Sequence, residues 1–317
     1  MPELPEVTTT VNGLKIALQG LSFLDVWTDL AKDKPIKQFK NTIKDKNFFK
    51  EFKKKIKNSK ILGVERRGKN ILINISNKNT ILIHLKMTGH IIVGKYHKTH
   101  NVKHTTWVPD KNERKELHDP YNRFVHAVFN LSNGKSMIFC DSRKFGKITL
   151  LDTDKINETI HLKDLGYEPL DKSFNFEKFK EILSSKPNKN IKTALMNQSL
   201  IAGIGNIYSD EMLWLSSIHP ESKFKYIPLK NINLLYQSMK EILKKGINFG
   251  GDSMSDYRNI HGKKGNFQNH HNVYQKKGEP CSRLKCKGVI IRKVLDGRSA
   301  HFCNTHQKLF DQKYLSR

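Results

Sequence analysis

The chain has 317 residues and carries 57 lysines and arginines against 30 aspartates and glutamates, a net charge of +27. That length suits two domains of ordinary size. No apolar run approaches the roughly 20 residues that span a bilayer, and the first residues lack the basic-then-apolar layout of a secretory signal. We therefore expect no membrane partner, and the strong positive charge favours a polyanion such as DNA or RNA.

The first half of the chain predicts mainly β structure after one opening helix. Between residues 5 and 18, apolar residues recur at three-to-four spacing, which is typical of an amphipathic helix. The polar stretch 90–122 has few apolar anchors and is predicted to be a long surface loop. Runs rich in β-branched and aromatic residues predict strands at 71–75, 80–85, 125–131 and 136–140. Residues 1–151 thus predict an N-terminal β domain with an opening helix.

The second half predicts helices and then a small β module. The segment LGYEPL contains both glycine and proline and is typical of a linker, which we assign to 152–171. Helices are predicted at 176–185, 191–196, 206–216 and 233–245. A helical domain over 172–272 and a cysteine-bearing hairpin over 273–317 complete the prediction. The expected fold class is α+β with two domains.

Three of the four cysteines lie near the C-terminus beside a histidine, which indicates a metal site and not a disulfide scaffold. The spacing is C-x4-C-x16-C-x2-H, and an Asp-Gly pair at 296–297 predicts a hairpin turn between the two halves. Three thiolates and one imidazole form an ordinary tetrahedral structural zinc set. His301 is an alternative fourth ligand. The predicted ligands of one structural Zn²⁺ are Cys281, Cys286, Cys303 and His306.

The opening sequence MPELPEV permits an unusual nucleophile. Removal of Met1 would expose the secondary α-amine of Pro2, and nearby cations would lower the pKa of that amine from its usual value of about 8. Attack of a secondary amine on an aldehyde-level carbon gives an iminium, which acts as an electron sink for elimination. Glu3 is adjacent and could move protons. The alternative is that these residues simply begin a helix.

Seven sequence blocks in order resemble the formamidopyrimidine-DNA glycosylase family, whose sister group is endonuclease VIII. They cover nearly the whole chain: MPELPEV, RRGKN at 66–70, HLKMTG at 84–89, DSRKFG at 141–146, AGIGNIYSDE at 202–211, GGDSMSDYR at 250–258 and GRSAHFC at 297–303. The resemblance implies a bifunctional base-excision enzyme with an N-terminal β-sandwich, a helix–two-turn–helix domain and a zinc hairpin. Its implied partner is double-stranded DNA containing oxidised bases, and the implied location is intracellular, with the DNA.

The resemblance also implies roles for individual residues. The implied catalytic residues are Pro2, Glu3, Lys69 and Arg298. Three residues would fill the hole that an extruded base leaves in the stack: Met87, Arg143 and Phe145. Phosphate contacts would involve Lys192, Asn206 and Tyr208.

Other features of the motifs are implied more loosely. Glu6 would support Pro2, Asn206 would cap the helix that follows the two turns, and the loop 250–260 would close over an extruded purine. Serine stands at 142, where many relatives carry proline, and the first metal knuckle is longer than the family's usual C-x2-C.

Several interpretations stay open. The residue types leave Met87 and Phe145 as candidates for core positions, which is the usual fate of such side chains. An endonuclease VIII-like enzyme for oxidised pyrimidines and a non-catalytic DNA-binding relative are the alternative functions. A monomer that removes 8-oxoguanine and formamidopyrimidines and nicks the strand by β,δ-elimination is the leading hypothesis.

Overall fold

The computed structural model describes residues 1–101 and 104–312, and the side chains of all of these except residues 100, 101, 104 and 105. The chain divides into two compact units. The N-terminal unit contains residues 1–163 and 249–268, and the C-terminal unit contains residues 164–248 and those from 269 onward. Residues 249–268 therefore group with the N-terminal unit, whereas the sequence-based domain boundaries put all of them in the helical domain 172–272.

In the part of the N-terminal unit that the structure describes, there are two α-helices and ten strands. The helices are α1 (Leu4–Ala17) and α2 (Lys46–Ile56). The strands are β1 (Phe23–Thr28), β2 (Ile61–Arg67), β3 (Asn70–Ile75), β4 (Asn79–His84), β5 (His90–Gly94), β6 (Tyr96–Asn101), β7 (His104–Pro109), β8 (Val125–Leu131), β9 (Ser136–Cys140) and β10 (Lys147–Asp152).

Two four-stranded antiparallel sheets form a sandwich in this unit. Their strand orders are β1-β8-β9-β5 and β10-β4-β3-β2. Alternate residues of β3, such as Ile71 and Ile73, enter one apolar core together with Phe129 of β8 and Val11 of α1. That core is shared by both sheets, which is how a sandwich buries one face of each sheet. The predicted β-sandwich with an opening helix is confirmed.

The prediction of one long surface loop over 90–122 is wrong. β5 is a fully buried edge strand that pairs with β9, and β6 and β7 form a hairpin. Trp107 of this hairpin packs on Trp27 and contributes to a second, smaller apolar cluster on the outer face of the sheet. The cause of the error is local: the run His90–Gly94 is short, and the polar hairpin residues that follow obscure it.

Up to residue 312, the C-terminal unit has four α-helices and a two-stranded hairpin: α3 (Phe176–Ser184), α4 (Ile191–Leu195), α5 (Asn206–Leu215), α6 (Leu229–Asn248), β11 (Ile290–Leu295) and β12 (Arg298–Cys303). The predicted turn is present, because Asp296 and Gly297 both have positive φ and connect β11 to β12. In the predicted linker, the backbone of Tyr167 pairs with Ile201. Among the described residues, no helix is both long and apolar enough to cross a membrane.

Candidate functional site

The start of α1 is held by the carboxylate of Glu6. Its Oε2 accepts a hydrogen bond from the backbone amide of Glu3 at 2.7 Å, and its Oε1 accepts one from the amide of Asp252, also at 2.7 Å. Pro2, Glu3 and Glu6 are all buried. A carboxylate that accepts hydrogen bonds from two backbone amides holds both of those backbone segments in place. Glu6 therefore fixes the backbone next to Pro2, a more specific supporting role than its helical position alone predicted.

Lys69 lies in the turn between β2 and β3, and only 6% of its surface is exposed. Its burial is inconsistent with an ordinary surface lysine. Gly68 immediately before it has a φ of +56°, so the turn uses a left-handed residue. Burial, with contributions from Lys86 and Lys69, lowers the pKa of His84 to about 3. The His84 ring is therefore neutral near pH 7, and its Nδ1 accepts the Lys86 amide at 3.0 Å.

The three predicted stack-filling residues lie on two turns at one end of the sandwich. Met87 follows β4 and is 42% exposed, and Phe145 precedes β10 and is 45% exposed. The Arg143 guanidinium lies over the Phe145 ring, 4.5 Å from the ring centroid. Large apolar side chains that stay exposed on turns are available to an external partner. The alternative that Met87 and Phe145 are core residues is wrong.

The buried carboxylate of Asp141 holds these two turns together. Its Oδ2 accepts the Gly146 amide at 2.7 Å, and its Oδ1 accepts both the Thr88 hydroxyl and, at 3.3 Å, the Arg143 amide. A second support is Lys44, which is buried and donates from Nζ to the carbonyl of Lys144 at 2.6 Å. Burial lowers the pKa of Lys44 to about 8, although nearby Asp141 opposes this shift. Neither Asp141 nor Lys44 was predicted from the sequence.

In the C-terminal unit, the chain between α4 and α5 forms the turns of the predicted helix–two-turn–helix and leads into α5. Gly205 is the N-cap, and Asn206 is the first helical residue, so the prediction that Asn206 caps the helix is wrong. Glycine provides no capping side chain, and the Asn206 Nδ2 instead lies 3.3 Å from Ser299 Oγ on the hairpin. Tyr208 is fully buried, and a Cβ at Gly246 of α6 would lie 2.5 Å from its ring. A DNA contact by Tyr208 would therefore have to use its backbone.

Lys192 is almost completely buried and connects α4 to both α5 and the hairpin. Its Nζ lies 2.5 Å from Asp210 Oδ1 and 2.7 Å from the carbonyl of Ser299. The other oxygen of Asp210 accepts the His301 amide at 3.0 Å and lies 3.1 Å from His301 Nδ1. Pairing with carboxylate compensates the cost of burying an ammonium group. Lys192 thus fixes the backbone of β12 at Ser299, the residue that follows Arg298.

Arg298 is exposed at the tip of the hairpin and lines a cavity of about 280 Å³ with Lys189, Lys192 and Asn197. On the same wall, the Thr193 hydroxyl donates to Asp296 Oδ2 at 2.7 Å, which ties the hairpin turn to α4. The exposed cationic groups of Lys189 and Arg298 at this cavity suit an anion, and a guanidinium can bind phosphate through two donors.

The four predicted metal ligands converge. One ligand atom from each of Cys281, Cys286, Cys303 and His306 lies within 4.8 Å of all the others. The Cys286 and Cys303 sulfurs are 3.6 Å apart, close to the separation of about 3.8 Å that tetrahedral Zn–S bonds of 2.3 Å require. These residues could hold a metal ion.

The surroundings of the cluster orient its histidine. His306 Nε2 lies 3.1 Å from the carbonyl of Trp214, while Nδ1 faces Cys281 Sγ at 3.3 Å. A ring that donates from Nε2 to a carbonyl presents Nδ1 as the metal ligand. His301 is engaged with Asp210 and is not in the cluster, which excludes it as the fourth ligand.

Comparisons with known proteins agree with this architecture. The model of the formamidopyrimidine-DNA glycosylase N-terminal domain matches residues 1–148, and that of the formamidopyrimidine-DNA glycosylase H2TH domain matches residues 165–258. A formamidopyrimidine-DNA glycosylase of Pelotomaculum thermopropionicum is 36% identical over 314 residues, which are 98% of this chain and 100% of that protein. The chain belongs to the formamidopyrimidine-DNA glycosylase family. The resemblance inferred from the motifs is confirmed.

Solved structures of this family, abbreviated Fpg, give the same result. A variant of Lactococcus lactis Fpg in complex with Fapy-dG containing DNA matches with a TM-score of 0.78 and 31% identity, covering 97% of this chain and 100% of that one. The wild-type Lactococcus lactis Fpg with an oxidised pyrimidine containing DNA matches with a TM-score of 0.76, also at 31% identity and with the same coverage. The two-domain α+β fold of the Fpg family is thereby confirmed.

Proposed function

We propose that this protein is a base-excision-repair DNA glycosylase that removes 8-oxoguanine and formamidopyrimidines paired with cytosine and then nicks the strand as an abasic-site lyase. The observation that carries the proposal is the set of family motifs with an intact Pro2-Glu3 start, whose backbone Glu6 fixes through the Glu3 amide. The net charge of +27 suits a DNA partner.

In the proposed mechanism, the Pro2 amine, freed by removal of Met1, attacks C1′ of the lesion nucleotide. The glycosidic bond breaks, and the base leaves with the bonding electrons and takes up a proton. Proton donation by Glu3 to the sugar ring oxygen opens the ring and leaves an iminium at C1′. Loss of the C2′ proton expels the 3′-phosphate by β-elimination, and a second elimination expels the 5′-phosphate. Lys69 and Arg298 stabilise the phosphates and assist proton transfer.

The remaining residues bind and hold the DNA. Met87, Arg143 and Phe145 fill the space that the extruded base leaves, which offsets the cost of unstacking. Lys192 and Asn206 position the hairpin tip, and the α5 N-terminus favours a phosphate. One structural zinc, bound by Cys281, Cys286, Cys303 and His306, would stabilise the hairpin. A monomer suffices for this mechanism.

Oxidised pyrimidines are the second candidate substrates, because the similar Lactococcus lactis Fpg has been solved with DNA that contains one. A panel of duplexes containing 8-oxoguanine, a formamidopyrimidine, thymine glycol or no lesion distinguishes the candidates. We expect excision and nicking to be fastest on the purine lesions opposite cytosine. Faster excision of thymine glycol would contradict the purine assignment, and binding without cleavage of any duplex would favour a non-catalytic protein.

A further inference from the structure

A side-chain hydrogen bond joins two segments of the N-terminal unit. The wedge turn, residues 141–146, carries Arg143 and Phe145. The capping loop, residues 252–258, lies in the segment that resembles the family's purine-closing loop. Ser142 Oγ donates to Asp256 Oδ2 at 2.5 Å, across 114 positions of sequence. Both residues are partly buried, so water competes only in part for this hydrogen bond.

The capping loop is fixed at both ends. At one end, the Asp252 amide donates to Glu6 at 2.7 Å. At the other end, the buried Arg258 pairs with Asp119 at 3.3 Å, and its guanidinium donates to the carbonyl of Ser255 at 2.9 Å. Between these anchors Met254 is 47% exposed. Asp256 joins the middle of the loop to the wedge turn.

Hydrogen bonds from neighbouring segments hold the wedge turn in place. Asp141 bonds its own turn through the Gly146 amide and also accepts the hydroxyl of Thr88, the residue next to Met87. The carbonyl of Lys144, which has a φ of +56°, accepts Lys44 Nζ. A displacement of the wedge turn would therefore move Ser142 with it and strain or break the bond to Asp256.

We propose that the Ser142–Asp256 hydrogen bond couples insertion of the wedge turn into the DNA stack to placement of the capping loop over the extruded base. The inference rests on the proposed function and adds two positioning residues to it. Two segments joined in this way bias each other, so the arrangement that fills the stack also favours capture of the base. A proline at 142, as many relatives carry, has no hydroxyl and cannot form this bond.

A double-mutant cycle tests the coupling in the full-length protein. Ser142→Ala, Asp256→Ala and the double variant are compared by the single-turnover rate of 8-oxoguanine excision opposite cytosine. Loss of one hydrogen bond predicts a decrease of about threefold to tenfold for each single variant. The double variant should be no slower than the slower single variant. Ser142→Thr and Asp256→Asn, which keep a donor and an acceptor, should restore most of the rate.

A second readout separates coupling from a general structural role. Nicking of a duplex with a preformed abasic site needs no base capture, so the single variants should lose less of that rate than of the excision rate. Thermal unfolding identifies any variant that is not folded, and if Ser142→Ala fails to fold, Asp256→Ala with its Asn control provides the test. Additive losses, or equal losses of excision and nicking, would overturn the coupling. A wild-type protein inactive on purine lesions would instead refute the proposed function and the coupling with it.

Discussion

Each unit of the molecule places a buried lysine behind a segment predicted to contact DNA. In the N-terminal unit, Lys44 donates to the carbonyl of Lys144 in the wedge turn, and in the C-terminal unit, Lys192 donates to the carbonyl of Ser299 beside Arg298. The difference lies in the counter-charge. Lys192 forms a direct ion pair with Asp210, whereas burial dominates at Lys44 and lowers its pKa to about 8.

The two regions also differ in what supports them. The wedge turn extends from a sandwich whose two sheets share one large apolar core. The hairpin has a much smaller cluster of Leu295, Ala300 and Phe302, with the cysteine cluster at its other end. A small module of this kind usually needs a metal or another cross-link in place of a core. We therefore expect the C-terminal unit to be the more sensitive to loss of a single interaction.

The largest effect should follow loss of a metal ligand. Structural zinc contributes about 10–16 kcal/mol to the folding of zinc-finger peptides, so Cys303→Ser should release the metal and unfold the hairpin. Loss of the proposed phosphate contact of Arg298, a charged hydrogen bond, should then weaken DNA binding about tenfold to a hundredfold. Metal content and the Kd for duplex DNA measure both effects. Cys140→Ser, a buried thiol outside the cluster, is the control and should retain the metal. Equal metal content in both variants would contradict the assignment.

The next largest effect should follow removal of the Lys192 ammonium. Lys192→Met leaves Asp210 buried without its main counter-charge, which costs about 3–5 kcal/mol of unfolding free energy. Urea denaturation of the wild type and of Lys192→Met measures this loss. Lys189→Met is the matched control, because Lys189 is exposed and lines the same cavity. If both substitutions change stability by the same amount, the buried pair has no special role.

A smaller and pH-dependent effect is expected at Lys44. The pKa of Lys44 is lowered from the usual 10.5 to about 8, so between these pH values the unfolded chain binds more protons than the folded protein. The stability of the wild type relative to Lys44→Met should therefore rise as the pH increases from 8 to 10.5. Urea denaturation across this range tests the sign. The exposed Lys57→Met should show no such trend, and a flat difference for Lys44→Met would contradict the burial effect.

The sequence predicted residues with a proposed chemistry of their own, but it did not predict the residues that hold them in place. Cys281, Cys286 and Cys303 were found because ligands at short spacing leave a local pattern. Asp141 and Asp210 carry no such pattern, since their partners lie on other turns and strands. Their roles depend on long-range contacts that only the folded chain reveals.

The fold shows the same limit. Strand patterns predicted four of the strands, the Asp-Gly turn predicted the hairpin, and the resemblance to the family implied the β-sandwich. β5 was missed because it is only five residues long and the polar residues of the β6–β7 hairpin follow it directly. Asn206 was assigned as a cap on residue type, yet the chain enters the helix one residue earlier, at Gly205.

The most direct test of the proposed mechanism is covalent capture of the N-terminal amine. The protein, with Met1 removed, is incubated with an 8-oxoguanine:cytosine duplex and sodium borohydride, and the adduct is mapped by peptide mass spectrometry beside a Pro2→Gly variant. The mechanism predicts a protein–DNA adduct on the peptide that begins at Pro2. The adduct should be strongly reduced in the variant, because the primary amine of glycine gives an imine that is charged only when protonated, whereas the iminium of proline is always charged. An adduct on a lysine peptide, or none despite excision, would contradict it.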